Sequence, residues 1–362
     1  MKRFMQITFA LLGLAAIATG IAYANRREIS AYFVASVASN SIFRDTIAGL
    51  PDGLHAGFCG TGSPFPSPTR SGPCTAIIAG KQLFVVDAGR GAADMIIRMG
   101  LQSARLEAVL LTHFHSDHID GLGQLAEHHW LAGSAKTPLR VIGNAGVERV
   151  VSGFNEAYAM NKIYRIAHEG ALADPAGFGS EPARFALATG SADHVVVLER
   201  EGLRITAFAV NHRTVDGAVG YRFDYKGRSI VISGDTAPSP NLVKAAAGAD
   251  LLIHEAMSPA VVRVLADAAR AHGRNVPSAL FGGVTDFHTT PAQAAAQGQQ
   301  ARVRILALTH FIPPVPLNPL LQDLFLGDAP RGFDGTFLLA EDGDLVSLPA
   351  GTIDWSNAEL ID

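Results

Sequence analysis

The chain has 362 residues, and 48% of them are hydrophobic, which is enough apolar material for one large domain or two small ones. Its formal charge of -4 at pH 7 gives no general attraction to phosphate polymers, because proteins that bind nucleic acid usually carry a basic patch or stripe. The 37 glycines show no three-residue period, so the composition also excludes a collagen-like chain.

The first predicted element is an apolar segment at the N-terminus. Lys2 and Arg3 precede a stretch from about residue 7 to residue 24 that is typical of a secretory signal or a membrane anchor. Ala22-Tyr23-Ala24 fits the small-x-small cleavage pattern, whereas the length of the run nearly suffices to cross a bilayer. Cleaved and anchored forms both stay open, and either one predicts an exported protein, periplasmic or anchored to the membrane and facing its outer side.

Changes in composition divide the chain into segments. Residues 1–25 are the signal or anchor, 26–54 a helical linker, 55–350 one compact domain, and 351–362 a short tail. Within the domain, residues 153–199 combine Gly, Pro and mixed charges, so we predict an irregular insertion over one face, of the kind that shapes substrate entry. Residues 335–349 predict a closing hairpin.

Two cysteines, Cys59 and Cys74, lie near the start of this domain. We expect them to be buried as small apolar groups, and a disulfide between them stays open because an exported protein meets an oxidising compartment. They form no Cys-x-x-Cys pair, so we assign them no metal.

Apolar runs of strand length and helical runs alternate through the domain, which predicts sheets covered by helices. The predicted strands span residues 83–86, 106–111, 139–142, 204–210, 219–225, 229–233, 251–253 and 303–308, and the predicted helices span 92–99, 121–131, 145–159, 259–272 and 291–300.

The strongest chemical signal is the run Thr-His-Phe-His-Ser-Asp-His at residues 112–118, directly after a predicted strand. Side chains alternate along extended backbone, so His113 and His115 can point the same way, while the following turn aims Asp117 and His118 at a second position. Imidazole and carboxylate ligands suit zinc. A chance cluster of surface histidines is disfavoured, because these polar groups at a strand end are costly to place without a partner. The run therefore predicts the core of a metal site for two ions.

Three further polar residues each follow an apolar strand. They are His212, Asp235 and His310. Singly, each would more often be a capping or core residue, but their repeated position predicts that they gather at one edge of the sheets as metal ligands.

At this point the sequence resembles the metallo-β-lactamase superfamily, and most closely its ribonuclease Z branch, over about residues 57–311. The segments that carry the resemblance, in chain order, are Cys59-Gly60-Thr61-Gly62, the strand ending at Asp87, residues 113–118, His212 with Gly220-Tyr221-Arg222, Ser233-Gly234-Asp235-Thr236, His254-Glu255-Ala256, His288-Thr289-Thr290, and Leu308-Thr309-His310-Phe311.

The resemblance implies an αββα sandwich, the metallo-β-lactamase fold, with two zinc ions at one edge of the two sheets. In this arrangement one zinc is held by His113, His115 and His212, the other by Asp117, His118 and His310, and Asp235 bridges them. Asp87 and Asp120 are expected to accept hydrogen bonds from ligand imidazoles.

The same resemblance implies an acid for the leaving group. His288 would donate the proton and Glu255 would orient it, so that Asp117, His288 and Glu255 are our candidate catalytic residues. The alternatives are a structural salt bridge for Glu255 and a helix cap for His288. His254 is expected to be structural.

Ribonuclease Z enzymes that cut precursor transfer RNA carry a long arm, commonly between the segments that match Tyr221 and Asp235, where this chain has only a tight hairpin. We therefore expect a dinuclear zinc hydrolase outside the cytoplasm that cleaves a small phosphodiester or, like arylsulfatases, a sulfate ester by metal-bound hydroxide. A nucleic-acid partner is disfavoured, the membrane is contacted through the N-terminal segment if uncleaved, and self-association stays open. The alternatives are precursor transfer-RNA 3′ processing, lactone or β-lactam hydrolysis, and a non-catalytic, metal-stabilised envelope protein.

Overall fold

Residues 2–40, 43–133, 135–314 and 318–361 are described by the computed structural model. The chain divides into two units, Met1–Arg44 and Asp45–Asp362. The first consists of α1 (Lys2–Ala24) and α2 (Arg26–Asn40). Within α1, Phe4–Ala24 is the single helix among the described residues that is long and apolar enough to cross a membrane, and a signal sequence would give the same pattern.

The second unit begins ten residues before the predicted boundary at His55. The short helix α3 (Thr46–Gly49) belongs to it, because Ile47 is fully buried and the Thr46 amide donates a hydrogen bond to the Gly100 carbonyl at 3.0 Å. The predicted linker 26–54 is therefore partly wrong. Its last ten residues pack into the domain.

Two mixed sheets form the framework of the second unit. The eight-stranded first sheet has the order β15-β14-β1-β2-β3-β4-β5-β6, with β1 (Gly53–Gly60), β2 (Cys74–Ala79), β3 (Gln82–Val86), β4 (Leu106–Leu110), β5 (Leu139–Gly143), β6 (Ser180–Arg184), β14 (Asp344–Pro349) and β15 (Ser356–Glu359). The seven-stranded second sheet has the order β13-β12-β11-β10-β9-β8-β7, with β7 (His194–Arg200), β8 (Leu203–Ala209), β9 (Val219–Tyr225), β10 (Arg228–Ile232), β11 (Leu251–Met257), β12 (Ile305–Ile312) and β13 (Thr336–Leu339).

The described residues of the second unit contain ten further α-helices. They are α4 (Ala92–Arg98), α5 (Ser116–Ile119), α6 (Leu122–Ala132), α7 (Val147–Ala157), α8 (Ala159–Glu169), α9 (Pro240–Ala245), α10 (Pro259–Ala271), α11 (Asn275–Gly283), α12 (Pro291–Ala301) and α13 (Pro319–Leu326).

The buried side chains form three main layers, which confirms the αββα sandwich. The inter-sheet layer packs Phe84 of the first sheet with residues of the second such as Phe223. A second layer joins the first sheet to α4, α6 and α7, and a third joins the second sheet to α9, α12 and α13. Because side chains alternate between the two faces of a strand, each strand contributes side chains to two layers.

Two predictions about connections are wrong. Residues 153–199 are not an irregular insertion, because they contain the end of α7, the whole of α8 and the edge strands β6 and β7. Residues 335–349 are not a hairpin, because β13 pairs in the second sheet and β14 in the first. The tail adds β15 beside β14. The edge strands β6 and β15 are polar, and pairing partners far away in the chain leave no local pattern.

Candidate metal centre

The seven predicted ligands lie where strands of both sheets end. In the first sheet, β4 is followed by a short loop and then by α5. This loop and α5 supply His113, His115, Asp117 and His118. The second sheet supplies His212 after β8, Asp235 after β10, and His310 within β12. The two sheets therefore meet at one edge with four ligands on one side and three on the other.

Four of these residues form a first group, His113, His115, His212 and Asp235, whose ligand atoms lie within 4.8 Å of one another. His115 Nδ1 is 2.9 Å from His113 Nε2 and 3.4 Å from His212 Nε2, and Asp235 Oδ2 is 3.9 Å from both Nε2 atoms. Ligands about 2.1 Å from a tetrahedral zinc ion would be about 3.4 Å apart, so this spacing suits a single ion.

The other three residues form a second group, Asp117, His118 and His310, which also lie within 4.8 Å of one another. Asp117 Oδ2 is 3.5 Å from His118 Nε2 and 3.3 Å from His310 Nε2. Asp235 joins this group as well, since its Oδ2 is 3.4 Å from His118 Nε2 and its Oδ1 is 3.4 Å from His310 Nε2. Asp235 is therefore the carboxylate shared by both groups.

The electrostatics of the centre suit a cation. Asp87, Asp117 and Asp235 are buried, and in the described ranges no lysine or arginine forms an ion pair with them. Burial and the neighbouring imidazoles lower the pKa of His113 well below its usual value, so this ring is neutral, as a ligand must be. Burial by itself also lowers the pKa of His118. The surrounding carboxylates, of which Asp235 has the largest effect, nevertheless raise this pKa well above the usual range. The residues fit one or two divalent metal ions with nitrogen and oxygen ligands.

His310 reaches the centre through a β-bulge. Between β11 and β12 the register shifts, so that Glu255 pairs with Thr309 and Ala256 with Phe311, and His310 is the extra residue. Its φ is +46°, which is rare for a residue other than glycine. Bulges of this kind re-aim one side chain beside an active site.

Hydrogen bonds behind the ligands hold the imidazoles in place. Asp87 Oδ2 lies 2.8 Å from His118 Nδ1, and its carboxylate accepts bonds from the Thr112 amide and hydroxyl, both at 2.8 Å. His212 Nδ1 donates to the Phe287 carbonyl at 3.1 Å. The expected contact of Asp87 with an imidazole is therefore present, whereas Asp120 is exposed and has no such contact within the described chain.

Glu255 and His288 form a buried pair beside the ligands. His288 Nδ1 is 3.0 Å from Glu255 Oε1, which also accepts bonds from the amides of Thr289 and Thr236, both at 3.1 Å. Burial by itself lowers the pKa of His288. The charge and the hydrogen bond of Glu255 have the larger, opposite effect, so the pKa of His288 lies above its usual value. The His288 ring centroid is 5.2 Å from that of His212 and 6.0 Å from that of His310.

The helix-cap alternative for His288 does not apply, whereas Glu255 does have a structural role, because it also accepts bonds from the amides of Thr289 and Thr236. Thr290, not His288, caps α12 through a capping box with Gln293. Glu255 forms its one described ion pair with His288. His254 is buried and bonds to the Glu255 carbonyl and to Gln297, which is a structural role.

A loop between β1 and β2 borders the centre, and sequence reasoning missed how it is held. Asp342 accepts bonds from the amide and hydroxyl of Thr61 at 2.9 and 2.7 Å and from the Ser71 amide at 2.6 Å. Cys59 and Cys74 close the same loop with a disulfide, the alternative that burial alone had not favoured. The Phe287 carbonyl and Thr112 were missed as well, and only the position of Thr112 directly before His113 could have signalled its role.

Comparisons with known proteins agree with this geometry. A family model described as a beta-lactamase superfamily domain matches residues 84–311. A ribonuclease Z of Mycobacterium marinum is 36% identical over 285 residues, which cover 78% of this chain and 94% of the relative. A ribonuclease Z of Mycobacterium avium is 33% identical over 295 residues, which cover 80% of this chain and 97% of the relative.

Solved structures show the same fold. The short form of human tRNase Z matches with a TM-score of 0.58 at 22% identity, over 82% of this chain and 99% of that one. A metallo-beta-lactamase fold protein of Bacillus subtilis matches with a TM-score of 0.58 at 18% identity, over 82% of this chain and 100% of that one.

Proposed function

The chain belongs to the beta-lactamase superfamily and, within it, to the ribonuclease Z family, and from this premise we propose that it cleaves RNA phosphodiesters at the 3′ side of precursor transfer RNA with two zinc ions. It is a metal-dependent hydrolase of the ribonuclease Z type. The relatives favour the precursor transfer-RNA alternative over the small ester and the sulfate ester that composition and the missing arm had led us to expect.

The observation that carries the proposal is the pair of ligand groups sharing Asp235, with His288 beside them. The two ligand groups would hold zinc ions, which would supply water activation near neutral pH and stabilisation of the charge that develops during cleavage. Glu255 holds His288 through Nδ1, which leaves Nε2 as the nitrogen that can donate a proton to the departing oxygen. The Glu255 carboxylate raises the pKa of His288 above its usual value, which favours the protonated form of that donor.

A small phosphodiester is the second candidate, and one observation favours it. β9 and β10 are joined by the two-residue turn Lys226-Gly227, with φ values of +46° and +81°, so no arm extends from this position. A small substrate, which needs no protein contacts outside the metal centre, would fit this surface.

The location of the centre discriminates between the two candidates. Two basic residues, Lys2 and Arg3, lie at the start of α1 before its apolar stretch Phe4–Ala24, and two, Arg26 and Arg27, follow that stretch. This balance favours neither orientation across a bilayer. We propose that RNA cleavage goes with a cytoplasmic centre and small-ester cleavage with an exported one, and protease accessibility of residues 45–362 in intact cells tests which holds.

The activity is tested directly with the full chain reconstituted with zinc. Side by side, it is given a precursor transfer RNA with a 3′ trailer and bis(p-nitrophenyl) phosphate. We expect two metal ions per chain and a single RNA cut at the trailer. Fewer than one metal per chain overturns the metal assignment, and hydrolysis of the small ester without RNA cleavage replaces the first candidate with the second.

A further inference from the structure

A disulfide closes a loop beside the metal centre. Cys59 and Cys74, which are both buried, are 15 positions apart in the chain. The register between β1 and β2 shifts at this point, so that Gly60 pairs with Cys74 and Cys59 is the extra residue. The disulfide therefore joins the two strand ends between which residues 61–73 run, and we call these residues the disulfide loop.

The first part of the disulfide loop holds the residue that follows the ligand His310. The Thr61 carbonyl accepts a hydrogen bond from the Phe311 amide at 3.1 Å. The Arg70 guanidinium donates to the Thr61 hydroxyl at 2.5 Å and lies over the Phe311 ring, with 4.5 Å between its central carbon and the ring centroid. His310 is the bulged residue with a φ of +46°, and such a backbone conformation persists only where the surroundings fix it. Contacts with the loop therefore help to hold the His310 imidazole at the centre.

The last part of the disulfide loop supports the backbone of Asp117 and His118. The Pro73 carbonyl accepts a hydrogen bond from the Gly89 amide at 2.9 Å, and the amide of the preceding residue, Ala88, donates to the His118 carbonyl at 2.8 Å. A Cβ on Gly89 would lie 2.4 Å from the Asp117 carbonyl oxygen and 2.6 Å from the Pro73 nitrogen, so these segments pack backbone against backbone. A displacement of Pro73 would therefore weaken the support of both ligands.

This support favours one of the two ligand groups. The described hydrogen bonds of the disulfide loop reach neighbours of the three-residue group, Asp117, His118 and His310, and none of them joins the loop to a histidine of the four-residue group. Cys74 itself lines a small cavity of about 30 Å³ together with His118 and His310. A cross-link restricts the conformations of the chain that it closes, so an opened disulfide would give the loop more freedom. Opening would therefore loosen the three-residue group first.

We propose that the disulfide between Cys59 and Cys74 sets how tightly the three-residue group binds its metal, so that reduction of the disulfide weakens this binding. A dithiol reductant supplies two electrons and two protons, the S–S bond breaks, both cysteines become thiols and the reductant becomes a disulfide, and oxidation reverses the step. The inference rests on the metal centre of the proposed function and holds for either candidate substrate. Because disulfides persist in oxidising compartments and are rare in the cytosol, the compartment would set the metal affinity.

The test compares the zinc-loaded full chain before and after treatment with tris(2-carboxyethyl)phosphine, a reductant that has no thiol to compete for zinc. Thiol counting should find none before treatment and two after it. Titration with a chelator should then show that one metal ion binds about tenfold more weakly, at the lower end of the loss for partners of ligand imidazoles, because Asp342 still holds the loop. The affinity for the other metal ion should not change, and reoxidation after removal of the phosphine should restore the first.

Two variants serve as controls. Cys59→Ser/Cys74→Ser should bind metal as the reduced wild type does and should not respond to the phosphine. Ile47→Val removes a buried methyl group in α3, so it should lower Tm and leave both metal affinities unchanged. Equal metal affinities in oxidised and reduced wild type overturn the proposal, and so does an equal loss at both metal ions. If the oxidised chain binds fewer than one metal ion, the proposed metal centre fails instead, so the two failures are distinguishable.

Discussion

The two ligand groups of the metal centre differ in how they are supported. In the three-residue group Asp117, His118 and His310 are all buried, and the Asp87 carboxylate stands behind His118. In the four-residue group His115 is exposed, and His212 is held by the backbone carbonyl of Phe287. The three-residue group gathers more negative charge and less solvent, so we expect it to bind its metal more tightly and the four-residue group to be the side that substrate reaches.

The largest effect is expected where the groups meet. Asp235→Ala removes the carboxylate shared by both, so we expect the chain to lose both metals and all turnover. Metal content by mass spectrometry and RNA cleavage measure this. Asp120→Ala, an exposed aspartate nearby, should change neither. One metal retained with partial activity would show that the groups are less dependent on each other than the geometry indicates.

A change that spares both groups separates chemistry from metal binding. His288→Ala should keep two metals but lower kcat on RNA by about 10²- to 10⁴-fold, the usual contribution of a general acid. The loss should be smaller on bis(p-nitrophenyl) phosphate, whose leaving group needs no proton. His128→Ala, on α6, is the control. Equal rates for His288→Ala and wild type on RNA would refute the proton-donor role.

The support of the three-residue group can be weakened alone. Asp87→Asn replaces the acceptor behind His118, and we expect one metal of the pair to bind about 10- to 100-fold more weakly, as is typical for partners of ligand imidazoles. Titration with a competing chelator should then show two clearly separated affinities. If both metals weaken together, the distinction between the two groups is wrong.

The smallest expected effect is a shift in pH dependence. Glu255 raises the pKa of His288, so the protonated donor persists above its ordinary range and the rate falls only as pH rises through this raised pKa. Glu255→Gln removes the charge and should lower the pKa of His288, which moves the alkaline fall in kcat to lower pH. Rates on RNA across the pH range measure it, and an unmoved alkaline limb contradicts the pairing.

The sequence located the residues that meet at the candidate metal centre better than it located their surroundings. Residues 112–118 carry four candidate ligands at one strand end, and this local signal needs no knowledge of the fold. The bulge that turns His310 inward is invisible in the sequence, because it exists only as a register shift against β11. Asp342 was missed for the same reason. It lies 281 residues from Thr61, and no local pattern marks a partner at that distance.

Strand pairing shows the same limit. Buried strands such as β3 and β10 were predicted closely because both their faces are apolar, whereas β6 and β15 are largely exposed and polar and were missed. The strands β1 and β2 were missed although both are buried. The strands β13 and β14 were recognised, but which sheet each joins depends on neighbours elsewhere in the chain.

Because four of the candidate ligands follow a strand of the first sheet and three come from the second, a metal ion held by these groups would be fully ligated only after the sheets have packed together. Metal binding is then linked to folding, and ions that bind the folded chain alone stabilise it by about 1.4 kcal/mol for each tenfold rise of free metal above Kd. A metal ion bound at this centre would therefore help to hold the two sheets together. Metal supply would set the lifetime of the folded protein in the cell as well as its rate of turnover.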